Sequence, residues 1–127
     1  MVVYLSGELG AGKTTLARGI LRGLGYQGRV KSPTFTLVEA YKLSKLYLYH
    51  FDFYRFETPR ELEEAGFREC FGAHALCLVE WPEKAGEKVP AADLTIAMHV
   101  AGSSRRAEVF AATEAGKACL HSIRPSV

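Results

Sequence analysis

The chain has 127 residues, 48% of them hydrophobic and 24% charged, enough to bury the core of one domain without disulfides or structural metal. Sixteen Lys and Arg against fourteen Asp and Glu leave a net charge of +2, too small to argue by itself for a nucleic-acid surface. Cys70, Cys77 and Cys119 are odd in number and form no C-x-x-C pair, the pattern of reduced, buried thiols. Met1 to Leu5 is too short and uncharged for a signal peptide or membrane span, so a cytoplasmic location is expected.

Val2 to Ser6 is an apolar run halted by Gly7, as expected of a buried strand, and Thr14 to Leu24 reads as a helix stopped by Gly25. Thr34 to Tyr41 and Leu46 to Tyr54 are rich in β-branched and aromatic residues, and the polar Lys42 to Lys45 between them predicts a hairpin. Thr58-Pro59-Arg60-Glu61 has the form of a capping box with proline at the first helical position, opening a helix that Gly66 interrupts or ends. Ala75 to Val79 is a second continuous apolar run, a central strand, ending in Glu80 and Trp81 before Pro82. Asp93 to Val100 and Arg105 to Thr113 predict a second hairpin around Gly102 and Ser103, with a short helix after Glu114.

Between the first strand and first helix, Gly7-Glu8-Leu9-Gly10-Ala11-Gly12-Lys13-Thr14 matches G-x-x-x-x-G-K-[ST] in the context that this phosphate-binding loop requires. The glycines let successive backbone N–H groups curl around phosphate oxygens, and the helix adds the positive end of its dipole. A β-carbon at Gly12 is expected to obstruct that curl. Gly10, Ala11, Gly12, Lys13, Thr14 and Thr15 are therefore the candidate phosphate contacts. Lys13 faces the β and γ phosphates, the Thr14 hydroxyl is a magnesium ligand, and Thr15 reaches the α-phosphate. The motif predicts the P-loop NTPase fold, a mixed, mostly parallel sheet flanked by helices, in one domain spanning residues 1–127.

Hydrolysis further needs a carboxylate for magnesium and a group to orient water. Alternation places Leu46, Leu48, His50 and Asp52 on one strand face and Tyr47, Tyr49, Phe51 and Phe53 on the other. Asp52 and Glu80 both stand at strand ends, where α/β sheets gather ligands, and are the candidate catalytic and metal-binding acids beside Lys13. His50 reads as a hydrogen-bonded structural histidine, because phosphoryl transfer needs no imidazole. Trp81 packs at the strand end or caps a bound nucleotide.

Asp52 is followed by Phe53-Tyr54-Arg55, not by the D-x-x-G of a GTPase, and no N-K-x-D occurs, which favours ATP. A small-molecule kinase is the rival enzyme class, although no arginine-rich lid is visible. A nucleotide-dependent binding switch, in which Thr34 to Leu37 reorders with the γ-phosphate, is a non-enzymatic alternative.

Four ordered segments carry a more specific signal: L-G-A-G-K-T from Leu9, K-S-P-T-F-T-L from Lys31, H-F-D-F-Y-R from His50, and E-W-P from Glu80. Together they resemble the TsaE (YjeE) family over Met1 to about Thr113. The resemblance implies a magnesium-dependent ATPase required for threonylcarbamoyladenosine formation in tRNAs reading codons that begin with A. It implies ATP/ADP as ligands, TsaD and TsaB as protein partners, tRNA engaged through that complex, and no membrane. It assigns Lys13 and Thr14 to phosphate and magnesium, Asp52 and Glu80 to the metal and hydrolytic site, Trp81 beside them, and Thr34 and Thr36 to a switch-like loop. Arg105, on the last hairpin, is a further nucleotide-binding candidate, with Arg106 adjacent. Family members usually carry a segment before the first strand, and its apparent lack here leads us to expect weak intrinsic ATPase activity, raised by partners.

Overall fold

In a computed structural model, which describes residues 1–72 and 74–122, six strands share one sheet in the order β2-β3-β4-β1-β5-β6. They are β1 (Val2–Ser6), β2 (Val38–Lys42), β3 (Tyr47–Asp52), β4 (Ala75–Glu80), β5 (Leu94–Ala101) and β6 (Ser104–Ala111). β3, β4, β1 and β5 run parallel, while β2 and β6 are antiparallel edges. The two unbroken apolar runs, β1 and β4, are neighbours at the centre, because a strand covered on both faces needs apolar side chains on both. The sheet is thus mixed and mostly parallel, as the P-loop motif predicts.

The helices are α1 (Lys13–Gly23), α2 (Arg60–Ala65) and α3 (Glu114–Ser122). Ala17 and Leu21 of α1 pack with Val3, Leu5, Leu48, Leu78 and Leu94 on one sheet face, flanked by Cys119 and Leu120 of α3. Phe51, Phe53, Cys77 and Val79 point to the other face, packing with Phe56, Leu62 of α2, Ala85 and Val89. The alternation read from β3 is the observed one, and burial of Phe51 or Phe53 contributes about 1.5–3 kcal/mol each. Cys77 behaves as a small apolar side chain there, its thiol pushed up to about 12 by burial.

Local signals end the helices as expected. Tyr26 N–H donates to Leu21 O at 3.0 Å and Gly25 N–H to Arg22 O at 3.1 Å, a Schellman closure that Gly25 permits at φ 93°. At α2 only the carboxylate half of the capping box forms: Glu61 Oε1 accepts from the N–H groups of Glu57 and Thr58 at 2.9 and 3.2 Å. Pro59 is the N-cap residue and not the first helical residue, so the helix starts one residue later than expected.

The strand predicted from Thr34 begins only at Val38. Leu37 is left-handed, with φ 69°, and breaks the extended run, while its N–H closes a turn on Pro33 O at 2.9 Å. The hydroxyls of Ser32 and Thr34 bond each other and Thr36 bonds Glu39, so these polar side chains support a turn despite their β propensity. Leu37 O then accepts the Asp52 N–H at 3.0 Å, tying the turn to the end of β3.

Asp93 joins three elements near the opposite end of β1. Its carboxylate accepts the Val2 N–H at 2.8 Å and the Thr113 hydroxyl at 2.6 Å, and Thr113 Oγ1 accepts the Gly116 N–H at the start of α3. Among the described residues, no helix is long and apolar enough to cross a membrane.

Candidate nucleotide site

The loop from Gly7 to Gly12 connects the C-terminal end of β1 to the N-terminus of α1. Gly7 lies against β5, where a Cβ would stand 2.7 Å from the Met98 carbonyl oxygen. Crowding therefore falls on Gly7. A Cβ at Gly12 would meet only Met98 Cε at 3.7 Å, so Gly12 is required for its φ of 102° and not for space, a correction to the sequence expectation. Among the described residues no side chain caps α1, and its first-turn N–H groups remain available to an anion.

Lys13, the first residue of α1, is only 5% exposed. Its ammonium donates to Gly7 O and sits 3.9 Å from the centroid of the Trp81 ring. Desolvation lowers the Lys13 pKa, opposed by the carboxylates of Glu80, Asp52 and Glu83. Trp81 can face Lys13 because it adopts a left-handed conformation, φ 56°, between Glu80 and Pro82.

Asp52 and Glu80 are paired neighbours across β3 and β4, and both are buried. Burial raises the Asp52 pKa and Glu80 adds to the rise, against the Tyr54 N–H that donates to Asp52 Oδ1 at 3.0 Å and the positive charge of nearby Lys13. Glu80 Oε2 accepts the Thr14 hydroxyl at 3.1 Å and is 2.5 Å from His50 Nε2. Parallel register thus brings a carboxylate from each strand beside the first turn of α1.

A cavity of about 410 Å³ is lined by Leu9 to Thr15, Thr34, Asp52, Tyr54, Glu80 and Trp81. It brings together nine of the sequence-predicted residues: Gly10, Ala11, Gly12, Lys13, Thr14, Thr15, Asp52, Glu80 and Trp81. Arg105 lies elsewhere. It lines a groove of about 570 Å³ with Gly10, Gly12, Met98 and Ser104, and donates to Gly10 O at 3.3 Å. Arg106 instead pairs with Glu108 at 3.1 Å, so the adjacent arginines differ in which one meets the loop.

Sequence reasoning did not single out Tyr54, which lines the cavity and packs on Trp81 with ring centroids 5.0 Å apart. The available signal was its position in H-F-D-F-Y-R. The contact of His50 with Glu80 was also unread, although alternation had placed His50 and Asp52 on one face.

The family model described as "Threonylcarbamoyl adenosine biosynthesis protein TsaE" matches residues 1–108. The chain is similar to the tRNA threonylcarbamoyladenosine biosynthesis protein TsaE of Haemophilus influenzae, 49% identical over 117 residues, covering 92% of this chain and 74% of that protein. The Bacillus subtilis protein of the same name is 43% identical over 111 residues, covering 87% and 69%. The crystal structure of Bacillus subtilis YdiB superposes with a TM-score of 0.75 at 35% identity, over 94% of this chain and 74% of that one. The chain belongs to the TsaE family of tRNA threonylcarbamoyladenosine biosynthesis proteins.

Proposed function

We propose that the chain is a magnesium-dependent ATPase of the cytoplasm, acting with TsaD and TsaB in threonylcarbamoyladenosine modification of tRNA. The observation that carries the reading is the meeting of the Thr14 hydroxyl with Glu80 at 3.1 Å, beneath an uncapped helix N-terminus and beside buried Asp52 and Lys13. A hydroxyl and two carboxylates form the hard oxygen donor set that suits magnesium, and Lys13 is the one cation lining the cavity among the described residues. The ion, when bound, would neutralise charge developing on the phosphoryl oxygens.

In this reading Thr14, Asp52 and Glu80 are the residues that would hold magnesium, directly or through water. The N–H groups at Gly10 to Thr15 bind phosphate oxygens, and Lys13 leaves Gly7 O to meet the β and γ phosphates. The carboxylates of Asp52 and Glu80 also orient the attacking water. Trp81 and Tyr54 form the apolar wall that limits access of other water, and Arg105 reaches the loop from its far side.

Family resemblance supports the protein partners, engagement of tRNA through their complex, and slow turnover by the chain alone. Among the described residues no arginine lines the cavity to clamp a transferred phosphoryl group, which favours water over a second substrate as acceptor. The test is hydrolysis of ATP and GTP by the chain alone and with TsaB, TsaD and tRNA, with Lys13→Ala and Glu80→Ala as controls. Partner-stimulated ATP turnover lost in both variants is expected. Label appearing on an acceptor molecule would instead assign a kinase.

A further inference from the structure

Resting on the ATPase reading, we infer that His50 is a positioning residue, whose Nε2 holds the Glu80 carboxylate toward Thr14 and away from Lys13. His50 is fully buried in the middle of β3, between Glu39 of β2 and Leu78 of β4 in register. Two residues earlier on the same face, position 48 is a fully buried leucine, so packing alone does not call for an imidazole. A buried polar ring is costly unless it is bonded. Among the described residues Nδ1 has no hydrogen-bond partner, and Nε2 is 2.5 Å from Glu80 Oε2. Among the described residues, Glu80 is the one side chain that the His50 ring bonds. Because a carboxylate oxygen accepts, Nε2 is the nitrogen that donates in this pairing.

The same carboxylate oxygen accepts the Thr14 hydroxyl at 3.1 Å, so two donors from different elements fix one edge of Glu80. Lys13 lines the same cavity as Glu80 and Asp52, and an ion pair is the obvious alternative resting place for either carboxylate. Among the described residues Lys13 forms no ion pair within 4.0 Å. Its ammonium is taken by Gly7 O and the Trp81 face, Asp52 by the Tyr54 N–H, and Glu80 by His50 and Thr14. Without the His50 donor, Glu80 is free to turn onto Lys13, which would remove both groups from the phosphates at once. An outer residue that orients a ligand in this manner is worth about 10–100-fold in activity or metal affinity.

The experiment compares His50→Leu, which removes the donor and fills the space, with His50→Gln, whose amide can still reach Glu80. Steady-state ATP turnover is measured in the presence of partners, and affinity for a fluorescent ADP analogue is measured with and without magnesium. His50→Leu is expected to lower kcat about 10–100-fold, to raise KM as Lys13 is drawn from the phosphates, and to weaken the tightening of nucleotide binding by magnesium. His50→Gln is expected to restore most of each. In a Glu80→Gln background His50→Leu should cost nothing further, because a residue acting through another has no independent effect. If His50→Leu does not fold, as read by circular dichroism, His50→Asn, whose amide is too short to reach Glu80, takes its place in each comparison.

An active wild type with equally active His50→Leu overturns the inference alone, as do losses that multiply in the Glu80→Gln background. Folded Leu and Gln variants that fail alike assign a packing role and likewise overturn it. A wild type that hydrolyses no ATP, alone or with partners, overturns the ATPase reading and takes this inference with it.

Discussion

The ammonium of Lys13 stands 3.9 Å from the centroid of the Trp81 ring, with its donor directed to the Gly7 carbonyl. Lys13 is thereby kept inside the cavity by an aromatic face and one backbone oxygen, while neither neighbouring carboxylate pairs with it. The contact goes with a left-handed backbone at Trp81, φ 56°, directly after the end of β4. The arrangement makes Trp81 a natural reporter of where Lys13 is.

Trp81 is the chain's single tryptophan. Its emission is expected to change saturably as ADP or ATP draws Lys13 toward phosphate, with weak cation–π attraction of about 0.5–2 kcal/mol exchanged for charge-assisted hydrogen bonds. Titration monitored at the tryptophan band tests this, and a flat signal alongside binding seen by calorimetry would refute it.

Lys13→Met is expected to separate stability from binding. The ammonium is desolvated, so replacing it with an apolar side chain of similar length should leave the melting temperature unchanged or raise it. Nucleotide affinity should fall at least about tenfold, equivalent to about 1.4 kcal/mol. Thermal unfolding and isothermal titration on the same samples read the two effects.

Glu80→Gln keeps the shape of the side chain and an acceptor for Thr14, but removes the charge. ATP turnover should drop by about 10²–10⁴-fold while nucleotide affinity stays within about tenfold, because the lost interaction belongs to the reacting state. Equal loss of kcat and binding would move Glu80 from chemistry to ground-state affinity.

Gly7→Ala should be damaging even before function is measured. The added methyl would lie 2.7 Å from Met98 O at a residue with φ 145°, and strain of this kind costs about 1–3 kcal/mol. Urea unfolding should show a lower midpoint with an unchanged slope. A midpoint equal to that of the wild type would show that β5 yields to the loop.

Asp93 supplies the pH dependence. Hydrogen bonds from the Thr113 hydroxyl and the Val2 N–H hold its carboxyl below the usual range. A depressed acid contributes stability that is present above its unfolded pKa of about 3.9 and is lost as pH falls through the lower folded value. Asp93→Asn is expected to cost about 1–3 kcal/mol at neutral pH and to flatten the stability profile below about pH 4. Denaturant unfolding at a series of acidic pH values checks both.

Much of the site was legible in the residues because its parts are local. A glycine-rich loop ending in Lys13 and Thr14 specifies its own backbone curl and helix start over a few residues. The apolar runs of β1 and β4 announce central strands, and period-two alternation places Asp52 and His50 on one face of β3. The hairpins and the glycine that closes α1 follow from equally short-range chemistry.

The structure alone decided what depends on register and on backbone departures from the regular. Pairing of Asp52 with Glu80, and hence two carboxylates at one helix terminus, is set by the alignment of β3 with β4, which side chains far apart in sequence do not reveal. The left-handed conformations of Leu37 and Trp81 run against the propensities of those residue types, so they appear only where surrounding contacts impose them. Likewise Arg105 rather than Arg106 meets the loop because strand alternation and hairpin placement select one of two identical side chains. Composition and short motifs determined which chemical groups the chain carries; tertiary packing determined which of them touch, because contact is a property of distances that local preferences do not set.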